Sequence, residues 1–536
     1  MQPRLCLTLI IVFSVLIFLS LLSLCILYPF IWYLITRQTR IIPGSFVYPE
    51  WLQPSIPVYA QFYLFNLTNP VEFQAGEKPR VEQLGPYTYR EQRVKFNVSM
   101  TNEFISYRER KQYYFDKNLS NGTEADVITG VNLAFVTIAE KMNSMPWFLD
   151  RVIELIEKYL SDTLIVRKTV NELLWGYEDQ FLSLLVKLGL NIPTTRIGLM
   201  INVNNTLSDS ITIDSGLMSS QMVGRIVKFH GNDTLSYWTT PTANMINGTD
   251  GTIFHPFITQ GEKPYIFSAD LCRSLQFYAD SVTQMNQLPV IKFLPMPDTF
   301  KSPKSYEKNR GFCLNWPDCY GDGVLDMSSC QPGAPVAMSQ PHFLNSDKSY
   351  QEAVDGLHPS EEFNTVIYVE PNTGGIIKAE KKMQVNLHVK NNQKFVQLKN
   401  LSTVLLPIMF INESVQLNDT LIDQLTYGLI KAPKIAKIIL VCIVTFSIPV
   451  MCFILSVHFY QKRRNSNTYV NFTDDQTQGE QQQNQQQHRQ QQEEQMTEQL
   501  ITPHYPDGTN QHSNEEKSNH HQQQRQQIDD CNPIVV

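Results

Sequence analysis

The chain has 536 residues, 42% of them hydrophobic and 18% charged, with 44 Lys and Arg against 51 Asp and Glu for a formal net charge of −7. That acidic balance gives no nucleic-acid signature, while 29 Phe and 23 Tyr supply material for a large core. No repeat of about 20 to 50 residues recurs, which excludes a solenoid or propeller.

After a short N-terminus, residues 1–4, the uncharged stretch 5–36 exceeds the roughly 20 apolar residues that a membrane-crossing helix needs. A cleaved signal peptide has an apolar core of about 7 to 15 residues followed by small ones. Here the run continues through Leu27, Tyr28, Phe30, Ile31, Trp32 and Tyr33, an aromatic end suited to the membrane interface. A second uncharged stretch, 438–460, comes before Lys462, Arg463 and Arg464. Residues 37–437 between the two spans are expected to form one ectodomain. Flanking cations are nearly balanced, so its side of the membrane is read from its chemistry. It carries ten Asn-x-Ser/Thr sequons, at Asn66, Asn97, Asn118, Asn121, Asn204, Asn232, Asn247, Asn400, Asn412 and Asn418, which point to a glycosylated lumenal or extracellular face.

The ectodomain opens strand-like at residues 58–65 and, beyond a turn at Asn69 and Pro70, again at 87–98. From 146 to 188 the period changes: Phe148, Val152, Leu155, Ile156, Tyr159 and Leu160 recur at helical spacing, followed by Leu173, Leu174 and Trp175, then Phe181, Leu184, Leu185 and Leu188. This is a helical insert in a β scaffold. Only four cysteines, Cys272, Cys313, Cys319 and Cys330, lie in the ectodomain. An even set in one short stretch indicates two disulfides in an oxidising compartment, ahead of a four-thiolate zinc site, whose cysteines are usually paired two to four residues apart. Residues 366–370 and 376–378 flank a Pro-Asn-Thr-Gly-Gly turn, a hairpin signal, and Val385, Leu387 and Val389 then alternate with polar residues. Residues 461–536, rich in Gln, cannot build a core and are expected to be a disordered cytoplasmic tail. Tyr469 with Phe472, and Leu500 with Ile501, resemble endosomal sorting signals for adaptor proteins.

Several stretches together resemble the scavenger receptor class B family, and its lysosomal branch in particular. They are FNLTNP at Phe65, EQLGPYTYRE at Glu82, ELLWGYEDQFLSL at Glu172, DGTIFHPFI at Asp250, GFCLNWPDCYGDGVLDMSSCQPGAP at Gly311, PHFLNSD at Pro341, GLHPSEEFNTV at Gly356 and NLHVK at Asn386. With both membrane spans they cover essentially residues 1–460. The resemblance implies an α+β fold: two transmembrane helices flanking an ectodomain with an antiparallel β-barrel-like core, an apical helical bundle at 146–190 and an apolar tunnel leading to the bilayer. It also implies the pairings Cys272 to Cys330 and Cys313 to Cys319. The expected ligands are lipids (fatty acid, sterol or phospholipid) or lipoproteins, or a protein cargo at the apex, where Arg151, Lys158, Arg167 and Lys168 are the candidate contacts. The apex contains no His, the usual pH-sensing residue.

The function expected on these grounds is a non-enzymatic membrane glycoprotein that moves lipid through its ectodomain in the endosome or lysosome, with the plasma membrane as the other location. A sorting receptor for a lysosomal cargo is the alternative, and a two-helix ligand-gated channel subunit a more distant one. No Gly-x-Ser-x-Gly, His-Glu-x-x-His or Walker sequence supports a hydrolase or nucleotide-binding reading, and no cofactor or metal is expected.

Overall fold

The computed structural model of the protein describes residues 3–142, 164–331 and 334–498. The chain divides into two compact units, Val15–Ser447 and a smaller one from Met1–Ser14 and Ile448–Val536. The sheet, its cavity and the inner ends of both long helices belong to the larger.

Inside the sheet is strand Val58–Leu67, where aromatic and aliphatic residues alternate between buried and half-buried positions. It pairs antiparallel with Val81–Thr101 on one side and with Val404–Gln416 on the other. Beyond Val81–Thr101 come Phe104–Phe115, Ile211–Asp214 and Ile226–Phe229. Beyond Val404–Gln416 come Ile376–Val389, Val366–Val369, Leu288–Pro295, Arg273–Met285 and Tyr265–Ser268. Residues 248 and 249 then bridge the two outermost strands. The Ile226 N–H donates to the Gly248 carbonyl at 2.8 Å, and the Phe267 N–H to the Thr249 carbonyl at 2.8 Å. Gly248 has φ +81°, and a Cβ there would lie 1.8 Å from the Tyr265 carbonyl oxygen. Only glycine lets the edges approach so closely, and the nearly closed sheet has an inside.

One end of that inside is filled by aromatic rings. Trp175 meets Phe62, Tyr89 and Tyr113 at centroid distances of 6.2, 5.2 and 5.2 Å. Trp175 ends helix Val170–Trp175, which starts at a capping box in which Thr169 and Glu172 satisfy each other's backbone N–H groups. The next helix, Gln180–Lys187, is capped by Asp179 and buries Phe181, Leu182 and Leu185. The expected helical insert is therefore mixed. Ile165–Thr169 is a strand paired with Val127–Val131, because a β-branched segment gains more from a ladder partner than from helix. Residues 143–163, and with them Arg151 and Lys158, lie outside the described residues.

Helix Pro3–Gln38 contains the first expected span. A helix Asp419–Thr426, a π turn Tyr427–Lys431 and a long helix Ala432–Glu498 carry the second. Both regions are long and apolar enough to cross a membrane, and they expose large side chains such as Phe18, Phe446 and Phe453, at 64%, 70% and 70%. The Gln-rich segment expected to be disordered continues this helix as far as Glu498. Gln, Glu and Arg are good helix formers that need no core. Leu500 and Ile501 fall outside the described residues.

The PHFLNSD stretch places His342 in the core at 2% exposure. Its Nδ1 accepts from the His358 N–H at 3.1 Å, its Nε2 meets Gln83 Oε1 at 2.6 Å, and its ring stacks on Phe363 at 4.9 Å. Burial, with a smaller contribution from His358, lowers its pKa to about 4. Below pH 6.5 the unfolded chain then binds a proton that the folded chain refuses, so stability falls as the pH drops from 6.5 towards 4. Between pH 7.5 and 5 the loss should be about 2 kcal/mol. His342→Gln, measured by melting at both pH values, should shrink the difference in Tm, and an unchanged difference would show that His342 does not sense this range.

Candidate functional site

Between the inward faces of the sheet lies a cavity of about 530 Å³. Part of its wall is apolar, built from Phe229, Phe267, Leu271, Leu275, Phe277, Ile367 and Met383. Hydroxyl and amide side chains such as Ser208, Thr252, Ser268 and Gln340 line it as well, together with charged groups. Arg93, Glu109, Lys111, Asp270, Lys381 and Glu413 all line it.

Strand register explains how these charges meet. Arg93 pairs across from Lys111, Lys95 from Glu109, and Lys381 from Glu413. Glu413 in turn lies opposite Ala60, and Ala60 opposite Tyr89. Because Ala60 is fully buried and ends at Cβ, the Glu413 side chain can pass over it to Arg93, two strands away. Arg93 is clamped between Glu413 and Glu91, whose carboxylate accepts from Nε at 2.7 Å. Lys381 joins Glu413 at 3.5 Å to Asp270, and Lys95 meets Glu109 at 3.2 Å.

Four cations, Arg93, Lys95, Lys111 and Lys381, thus face four carboxylates, Glu91, Glu109, Asp270 and Glu413. Burial opposes the charge on Arg93, but Glu91 and Glu413 outweigh it and hold the guanidinium pKa well above its ordinary value. Burial likewise pushes Glu413 up, and Arg93, Lys111 and Lys381 reverse that and hold it well below the usual carboxylate range. The Lys381 charge, with burial working against it, keeps Asp270 low. Lys111 also lines the cavity, with its Nζ 3.5 Å from Glu91 and 3.7 Å from Glu413, looser contacts than the 2.7 Å bond of Arg93 to Glu91. Glu91 Oε2 is buried with no hydrogen-bond partner among the described residues.

The residues singled out from sequence lie elsewhere. Cys272 and Cys330 are joined with Cα atoms 6.3 Å apart, and Cys313 and Cys319 at 5.5 Å. Arg167 is exposed on its strand, whereas Lys168 is committed to Glu172 at 3.6 Å and lies over the Tyr177 ring at 4.5 Å. Tyr469 and Phe472 are on the long C-terminal helix. Among the described residues no group of His, Cys, Asp and Glu could hold a metal ion.

The sequons differ in how free their amides are. Asn97, Asn118, Asn121, Asn232, Asn400 and Asn418 are exposed, but Asn412 is mid-strand and donates its Nδ2 to Gln61 at 2.9 Å. Asn66, also in a strand, accepts from the Thr129 N–H at 2.8 Å. Peptide mapping after glycosidase treatment in heavy-oxygen water should find label at the exposed six and the least at Asn412 and Asn66. Full occupancy of Asn412 would mean that its sheet contact forms differently.

Residues 10–460, which carry this sheet, the cavity and both apolar helices, match the sequence model of the CD36 family. This chain belongs to the CD36 family. It is 37% identical over 420 residues to Lysosome membrane protein 2 of Homo sapiens, covering 78% of this chain and 84% of that protein. The Rattus norvegicus counterpart is 38% identical over 420 residues, with the same coverage of 78% and 84%. Scavenger receptor class B member 1 of Bos taurus is 30% identical over 405 residues, 75% of this chain and 79% of the relative. As a CD36-family chain it is a class B scavenger receptor type, and the two helices are its membrane spans.

Proposed function

We propose that this CD36-family protein binds a single lipid in the cavity and passes it to or from the bilayer, without making or breaking covalent bonds. The observation that carries this reading is a cavity of about 530 Å³ with an apolar wall and a belt of charges of both signs facing it. Ligand pockets run to about 300–1,000 Å³, so its size suits one amphiphile. The apolar wall would cover a hydrocarbon tail, which costs about 25 cal/mol per Å² when left in water, and the Lys111 ammonium would meet a polar or anionic head. The relatives' names support a lysosomal membrane as its location, with the plasma membrane as the other. Tyr469 is the proposed adaptor contact in the tail.

Lipid recovered from the purified protein by solvent extraction and mass spectrometry is the first test. Met383, which lines the cavity at 8% exposure, offers the second. Met383→Trp should cut transfer of labelled lipid between vesicles and the reconstituted protein about ten-fold, while overpacking costs only about 1–3 kcal/mol, so folding survives. Transfer at the wild-type rate in a folded Met383→Trp protein would refute the cavity as the route.

A further inference from the structure

Residues 250–258, DGTIFHPFI, are among the stretches that carry the family resemblance, yet the cavity uses only Asp250, Gly251 and Thr252. The chain beyond them is braced from two directions. The Phe254 N–H donates to the Gly374 carbonyl at 2.9 Å and the Phe257 N–H to the Asn372 carbonyl at 3.1 Å. That neighbouring turn is itself held by Glu370, fully buried, which accepts from the Asn372 and Thr373 N–H groups at 3.0 and 2.7 Å. On the other side, His255 Nε2 meets Glu262 at 2.8 Å, and Glu262 accepts from the Thr259 N–H at 2.8 Å.

This bracing holds Phe257 at φ +62°, a left-handed conformation that a bulky residue adopts only when its surroundings impose it. Its half-buried ring stacks on Trp32 of the first membrane helix, with centroids 5.4 Å apart and 13° between the planes. Trp32 is 55% exposed. It stands one helical turn, about 6 Å, nearer the ectodomain than Tyr28, whose ring carries Lys437 Nζ of the second helix at 5.7 Å. Tyr and Trp on one span with Lys on the other mark the headgroup layer, about 5–7 Å thick on each side of the hydrocarbon.

We propose that residues 254–262 form a bilayer-contacting loop, with the Phe257 ring seated on Trp32 at the boundary between headgroups and acyl chains of the leaflet that faces the ectodomain. The lipid surface is the partner because the ring extends an exposed aromatic surface that already belongs to a membrane span. The imposed backbone conformation aims the ring at that surface. The loop thereby seats the cavity wall at Asp250–Thr252 a few residues from lipid. The contact does not depend on what the cavity holds.

The test uses the full chain in phosphatidylcholine nanodiscs. With benzoylphenylalanine at position 257, irradiation should yield loop peptides heavier by one phosphatidylcholine. Cross-links confined to the first-helix peptide, or none in protein with both disulfides intact, would overturn the proposal. Unsubstituted protein supplies a second reading by hydroxyl-radical footprinting. Phe257 should be oxidised several-fold more slowly than Phe115, also half-buried, and equal rates would count against a lipid contact.

Discussion

Replacing Glu413 with alanine should destabilise the ectodomain by about 3–5 kcal/mol, the range for removing one partner of a buried ion pair. Its carboxylate is shared by Arg93, Lys111 and Lys381, so its loss takes one counter-charge from three cations at once and leaves Glu91 and Asp270 to hold them. Unfolding entropy near 2.1 cal/mol/K per residue, over about 400 residues, converts this to a fall in Tm of about 4–6 °C. Asp280→Asn is the contrast, since Asp280 meets Lys292 at 3.0 Å on the surface, and exposed pairs contribute about 0–1 kcal/mol. Because the folded pKa of Glu413 lies well below its ordinary value, its contribution is present above the usual carboxylate range and is lost as the pH falls through that lowered value. The Glu413→Ala penalty should thus persist at pH 5. Equal melting losses for the two variants would show that the belt is solvated rather than structural.

Removing the Cys272–Cys330 disulfide by a double alanine substitution should cost about 4 kcal/mol on the loop-closure argument, and removing Cys313–Cys319 about 2 kcal/mol, because the sequence separations are 58 and 6 residues. The larger loss should also reach the site. Cys272 directly follows Asp270 and Leu271, both on the cavity wall, and Asp270 is the partner of Lys381. Melting curves and lipid retention should therefore fall together in the Cys272/Cys330 variant, whereas the Cys313/Cys319 variant should lose stability alone. The reverse order of lipid retention would place the wall's anchor in the short loop instead.

The membrane spans and the hairpin at Val369 and Ile376 were legible because each depends on neighbours in sequence: an uncharged run of sufficient length, or a turn between two apolar strands. The mixed character of residues 164–190 was less so, since Ile165–Thr169 becomes a strand only through its partner Val127–Val131. The charged belt went unread. Period-two charges in a strand ordinarily indicate a wet face, and Glu91, Arg93 and Lys95 look like one. A signal was nonetheless present, since these three share their parity with Tyr87 and Tyr89, which are buried at 1% exposure.

By itself, therefore, the sequence determined what is local and compositional in this protein: two spans, a large ectodomain suited to an oxidising compartment, four cysteines to pair, and strands that alternate. Tertiary structure alone decided what faces what. Gly248 closes the sheet through a contact with Tyr265, and Ala60 clears the path from Glu413 to Arg93. Phe257 reaches Trp32 from far along the chain. Each depends on strand register and on the approach of distant segments, so the same side chains that read as surface charge or ordinary core in one dimension become a cavity wall and a membrane contact once the sheet closes.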